Sequence, residues 1–205
     1  MSESRSATNR PDMPGPSGKY KPTTRLLVIE QGLDFLSGIG SEHICGVCID
    51  NGGSCCKGCR NLTAGTGCSL RNTSCTAWLC GFLRYFLYET GLLKEWENFW
   101  KQVPGLDYRE DFTPDHFTVR KTLSNPNLRF LGFELAEDLR ALAESKSKQG
   151  YIINLREQID RSLDELSIWK TASKQAIARK NIQVLSKPFR RFHQALEHYR
   201  SDLST

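Results

Sequence analysis

The chain has 205 residues, 39% of them hydrophobic and 25% charged, enough for one ordinary globular core or one core with a small appended module. Its net charge of +5 is a mild excess that neither requires nor excludes nucleic acid. No apolar run approaches the roughly 18 residues of a membrane span, since Leu79 to Leu93 is interrupted by Arg84 and Glu89, and the first twenty residues lack the apolar core of a secretory signal, so a soluble protein in a reducing, cytoplasmic setting is expected.

Residues 1–22 are rich in Ser, Pro and Gly, have no hydrophobic period, and read as a disordered tail. From Arg25 to Leu36, the spacing of Leu26, Leu27, Ile29, Leu33 and Leu36 predicts an amphipathic helix ended by Gly38 and Gly40. All eight cysteines then fall between Cys45 and Cys80: Cys45, Cys48, Cys55, Cys56, Cys59, Cys68, Cys75 and Cys80, with His43 just upstream. Gly46, Gly52, Gly53, Gly58, Gly65 and Gly67 run through this stretch and predict a loop-built module rather than regular structure.

Trp78, Leu79, Phe82, Leu83 and Phe86 predict a helix ending near Thr90-Gly91, with Cys80 on its first turn. A second helix from Leu92 stops before Val103-Pro104-Gly105. Thr113-Pro114-Asp115 reads as a helix start running to about Leu123, and Asn125-Pro126-Asn127 breaks it. Leu131, Leu135, Leu139 and Leu142 mark a long helix within 128–147, and Ile152, Leu155, Ile159, Leu163 and Leu166 mark another that follows Gly150 and runs towards Lys187. Pro188 separates the last helix, 189–203, and no β pattern competes.

The expected fold is therefore mainly α: an irregular Cys-rich metal-binding module packed on an α-helical scaffold, an antiparallel helix hairpin or bundle. The boundaries are a tail at 1–22, the module with flanking helices at 23–106, and the scaffold at 107–205.

The chemistry read from the cysteines is metal chelation. Cys45, Cys48, Cys56 and Cys59 form two Cys-x2-Cys pairs able to satisfy one tetrahedral Zn2+; Cys55, Cys68, Cys75 and Cys80 suffice for a second, and His43 is a spare ligand. One or two zinc ions is the favoured expectation and an iron–sulfur cluster the alternative. Which of Cys55 and Cys56 joins which site is left open. Lys57, Arg60 and Arg71 would offset thiolate charge.

Cys55-Cys56, Gly67-Cys68 and Cys75-x4-Cys80 followed by Gly81-Phe82-Leu83 make residues 43–83 resemble the bacterial cysteine-cluster domain family associated with zinc or iron chelation. The resemblance implies metal binding by these cysteines and no particular reaction.

Other chemistry is sparse. Asp115-His116 lacks a nucleophile, His193 and His198 are five apart rather than aligned on a helix face, and Trp96, Phe99 and Trp100 read as core. There is no P-loop, dinucleotide fingerprint or Ser-centred elbow. Lys174, Arg179, Lys180, Lys187, Arg190 and Arg191 form a basic stretch without an intervening acid, a candidate grip on nucleic-acid phosphates. The sequence thus favours a non-enzymatic metal-binding protein, zinc structural, partnered by nucleic acid or another protein. The alternatives are an iron–sulfur redox or sensor protein and a zinc-dependent nucleic-acid regulator.

Overall fold

The computed structural model describes residues 20–53, 62–63, 67–68, 71–107, 110–146 and 150–203. A short strand, β1 (Lys21–Thr24), leads directly into α1 (Arg25–Gly38), whose first turn is capped by the Thr24 hydroxyl accepting from the Leu27 amide at 3.2 Å. α2 (Ser41–Asp50) follows after Gly40, whose φ of 69° lets the chain reverse within one residue. Two brief ladder strands, β2 (Leu62–Thr63) and β3 (Gly67–Cys68), pair antiparallel. α3 (Thr73–Ala77) is capped by Asn72, and α4 (Gly81–Glu89) and α5 (Leu93–Trp100) complete the first half.

β4 (Leu106–Asp107) and β5 (Glu110–Asp111) form a small hairpin against α3. Asp111 fixes this contact: its carboxylate accepts from the amide and hydroxyl of Thr73 and from the Thr113 amide. Partial burial works against that charge, but the bonds from Thr73 and Thr113 prevail and hold the carboxyl below its ordinary range. β6 (His116–Val119) then returns to pair antiparallel with β1, Thr24 opposite His116, and Arg25 reaches Asp115 at 2.8 Å.

The remaining chain is helical: α6 (Arg129–Ser145), α7 (Tyr151–Ile168), α8 (Ala172–Ser186) and α9 (Arg190–Asp202). α7 lies between α4 and α8, while α6 packs chiefly on α2 and α9. Two glycines set these approaches. A Cβ on Gly81 would stand 2.2 Å from the Arg156 carbonyl oxygen, and one on Gly132 would stand 2.2 Å from that of Ile39, so only glycine admits the backbones so close. Beside Gly81, Arg84 donates to Asp160 at 2.5 Å and to Asp164 at 2.8 Å across the α4–α7 contact. One core draws on both halves, with Phe35, Phe82, Tyr85, Phe86, Phe189 and Phe192 all inaccessible to solvent.

The mainly α class stands, but several expectations are corrected. No Cys-rich metal-binding module is evident among the described residues: Cys45 and Cys48 belong to α2, Cys75 to α3, and Cys80 caps α4. The glycine count suggested loops, yet Gly46 sits inside a regular helix. Thr113-Pro114-Asp115 opens the strand β6 rather than a helix, because cross-strand bonding to β1 satisfies a backbone that the sequence alone leaves unpartnered. The long helix expected after Gly150 breaks at Trp169–Thr171 into α7 and α8, and α6 and α7 pack mainly on other helices instead of on one another.

Burial raises the Asp160 carboxyl above its usual range, and the Arg84 guanidinium only partly offsets this. Arg84→Met therefore leaves a partly buried carboxylate without its cation and should cost about 2 kcal/mol, discounted for the exposure of Asp164. Adding Asp160→Leu should recover part of that loss. Denaturant midpoints at unchanged slope test both; a neutral Arg84→Met would show that the cross-helix pair adds nothing.

Candidate functional site

Four of the cysteines read as ligands are described, and none carries a disulfide. Cys48 is buried, and its sulfur accepts from Arg156 Nη1 at 3.3 Å. Cys80 is buried beneath α4, while Cys45 and Cys75 are half-buried. His43 is committed elsewhere, edge-on to Phe133 at 5.6 Å with Nε2 3.5 Å from Glu42. Cys55, Cys56, Cys59, Lys57 and Arg60 lie outside the described residues, as does the side chain of Cys68.

Among the described residues, no three His, Cys, Asp or Glu side chains come together as a metal-holding group. This overturns the expected zinc ions, the iron–sulfur alternative, the zinc-dependent regulator, and the likeness to the cysteine-cluster family. The physical reason is local. Cys45-x2-Cys48 is wound into α2, where a partly buried guanidinium meets the second sulfur in place of a turn that aims both thiolates at one ion.

The basic stretch forms a coherent surface. From Leu166 to Leu196 no acidic residue occurs, and this segment builds the α7–α8 corner, all of α8 and the start of α9. At the corner, the Lys174 ammonium lies 3.7 Å from the centroid of the Trp169 ring, and Gln175 Nε2 donates to the Trp169 carbonyl at 2.8 Å. α8 turns Ala178, Ile182 and Ser186 inward, leaving Lys180 and Lys187 on the opposite face with Ile177 and Val184. Arg179, on a flank, meets the neutral Gln175 side chain at 3.3 Å.

Pro188 ends α8, and Phe189 plunges into the core, so Arg190 and Arg191 project at the first turn of α9. Positive side chains are unfavourable at a helix N-terminus. The compensation comes from α6, where the buried Asp138 carboxylate accepts from the Phe192 amide at 3.0 Å. Burial dominates at Asp138 and raises its carboxyl above the ordinary range, opposed by the Phe192 and Arg191 amides and the Arg191 charge.

Several arginines elsewhere on the molecule are paired with acids. Arg25, Arg84, Arg129, Arg140 and Arg200 each reach a carboxylate on another turn or element. Lys180, Lys187 and Arg190 have no acidic partner among the described residues, and Arg191 approaches Glu137 only at 3.9 Å. Their charge is directed at solvent.

The other candidates are structural. Trp96, Phe99 and Trp100 are buried, with Trp96 Nε1 donating to the Ala77 carbonyl at 3.0 Å. Asp115 pairs with Arg25, and His116 sits exposed on β6. His193, expected at the surface, shares a 2.7 Å hydrogen bond with the buried Tyr85 hydroxyl; its place one residue after Phe192 and three before Leu196, beside the apolar stripe of α9, was the hint in the sequence. The chain matches no protein-family model, no curated protein and no solved structure.

Asp138 yields a pH-dependent prediction. A carboxyl whose folded pKa is raised contributes stability present below its unfolded value, roughly pH 4, and lost as pH rises through the folded value. Asp138→Asn keeps an acceptor for the Phe192 amide but removes the buried charge. Its stability relative to the parent protein should therefore increase from acid pH to neutrality, measured by paired denaturant titrations. Asp138→Ala should cost about 1 to 2 kcal/mol by orphaning the amide. A relative stability for Asp138→Asn that falls towards neutral pH would contradict this account.

Proposed function

We propose that this is a helical binding protein that engages the phosphate backbone of nucleic acid through the α8–α9 surface, in a cytoplasmic setting. Lys180, Lys187, Arg190 and Arg191 meet the phosphates, with Lys174 and Arg179 at the margins. The observation that carries the reading is the acid-free span from Leu166 to Leu196, folded so that Lys180, Lys187 and Arg190 face solvent without acidic partners among the described residues. A cluster of such charges, in a segment that holds no acid of its own, suits an anionic partner that arrives from outside.

The chemistry is that of positioning rather than reading. Flexible lysines and arginines neutralise phosphates and release counterions, giving affinity without base preference. No membrane role is part of this proposal, since among the described residues no helix is long and apolar enough to cross a bilayer.

Binding of a labelled duplex or single strand should be detectable by fluorescence anisotropy at low salt and fall steeply as salt rises. Converting Lys180, Lys187 and Arg190 together to alanine should flatten the logarithmic salt dependence by about two to three units, at roughly 0.7 to 0.9 for each phosphate that is no longer neutralised. No binding at low salt, or an unchanged slope in the triple variant, would remove the proposal.

A further inference from the structure

Phosphate binding leaves one feature of α8 unused: Ile177 and Val184, 60% and 63% exposed, stand two turns apart beside Lys180 and Lys187. A mirror of that arrangement exists elsewhere on the molecule. On α1, Leu26 and Leu33 are also two turns apart and exposed, at 75% and 37%, and the charged residues beside them are Glu30 and Asp34. Neither acid has an ion pair among the described residues.

We infer that a second copy of the chain docks here, the α1 face of one molecule receiving the α8 face of the next. Helical geometry gives the register. At about 100° per residue, Glu30 and Asp34 lie roughly 50° and 90° to one side of the Leu26–Leu33 line, while Lys180 and Lys187 lie roughly 50° and 70° to the other side of the Ile177–Val184 line. Two helices that face each other and run parallel bring such opposite offsets to the same flank. Leu26 then meets Ile177, Leu33 meets Val184, Glu30 comes across from Lys180, and Asp34 from Lys187.

Other pairings of these faces fit less well. Pairing α1 with another α1 sets acid against acid, and pairing α8 with α8 sets lysine against lysine. The chain's own residues 1–19 contain no Leu, Ile, Val or aromatic side chain with which to cover Leu26 and Leu33. Because the two docking faces differ, the contact is head-to-tail, building rings if the rotation closes and chains if it does not. It also occupies Lys180 and Lys187, so assembly and phosphate binding compete for α8.

Sedimentation velocity of the full-length protein tests the inference. At concentrations up to about 100 µM, suited to a small interface, the parent chain should show mass increasing with concentration, unaffected by nuclease. Variant one, Glu30→Lys with Asp34→Lys, and variant two, Lys180→Glu with Lys187→Glu, should each lose association at least tenfold while keeping their circular dichroism. Mixed one to one, they should associate again, because each α1 face then meets an α8 face of opposite charge. A third variant, Ile177→Ser with Val184→Ser, should also lose association yet keep its nucleic-acid salt slope, which separates this contact from phosphate binding. A monomeric parent, loss of its association on nuclease treatment, or a mixture that stays monomeric would overturn the inference.

Discussion

The contact between α4 and α7 is the constraint on which the rest of the molecule depends. Gly81 has no side chain because the Arg156 carbonyl lies where a Cβ would be, and one turn later Arg84 spans to Asp160 and Asp164. Close backbone approach supplies packing. The ion pair supplies register, since a buried charge pair returns little net stability but penalises any shift that separates its members. Arg156 extends the same junction to α2 through its contact with the Cys48 sulfur. Two helices, α4 and α2, are therefore located by one segment of α7, and α8 is placed by packing on that helix.

Aromatic packing carries the constraint from α4 to the far end of the chain. Tyr85 contacts both Phe189 and Phe192, with ring centroids 5.5 and 5.8 Å apart, and Phe86 contacts Phe192 at 5.6 Å. Such rings contribute about 0.5 to 1.5 kcal/mol per pair beyond their burial. Burial also pushes the Tyr85 hydroxyl far above its usual range, so it stays neutral in its bond with His193. Because Phe189 and Phe192 are pinned inward, Arg190 is turned to solvent and Arg191 to the edge where Glu137 lies 3.9 Å away, and Asp138 holds the helix start that displays them. The basic surface is thus a consequence of the core.

The long helices such as α6 were legible because burial imposes a period on sequence, Leu131, Leu135 and Leu139 being buried at the spacing that identifies them, whereas α2 and α3 fall in a stretch whose glycines and cysteines suggested loops. Strands β1 and β6 were not, since each spans four residues and owes its existence to a partner nearly a hundred positions away. The break at Trp169–Thr171 was hidden for a related reason. Apolar spacing continues through it, and what stops α7 is a corner closed by Lys174 and Gln175 folding back on Trp169. Cysteine spacing misled most. Cys-x2-Cys is the same string in a chelating turn and in one turn of helix, and only the surroundings of Cys48 tell them apart. The basic residues were visible as a run, but not the sorting of their partners, because ion pairing is decided by which helices meet.

A net charge of +5 understates how polarised the molecule is. Opposite imbalances cancel in a sum: α1 shows Glu30 and Asp34 on its exposed face, while α8 and the start of α9 show only positive charge. Over distances beyond the Debye length of about 8 Å at physiological salt, a partner senses the local face rather than the total. Apolar residues set within each face matter for the same reason. Scattered singly they need no explanation, but Leu26 with Leu33 and Ile177 with Val184 repeat at the interval that aligns a helix with a neighbour, next to charges of opposite sign. Charge brings such surfaces together quickly and excludes like faces, whereas the apolar pairs, insensitive to screening, decide how long they stay.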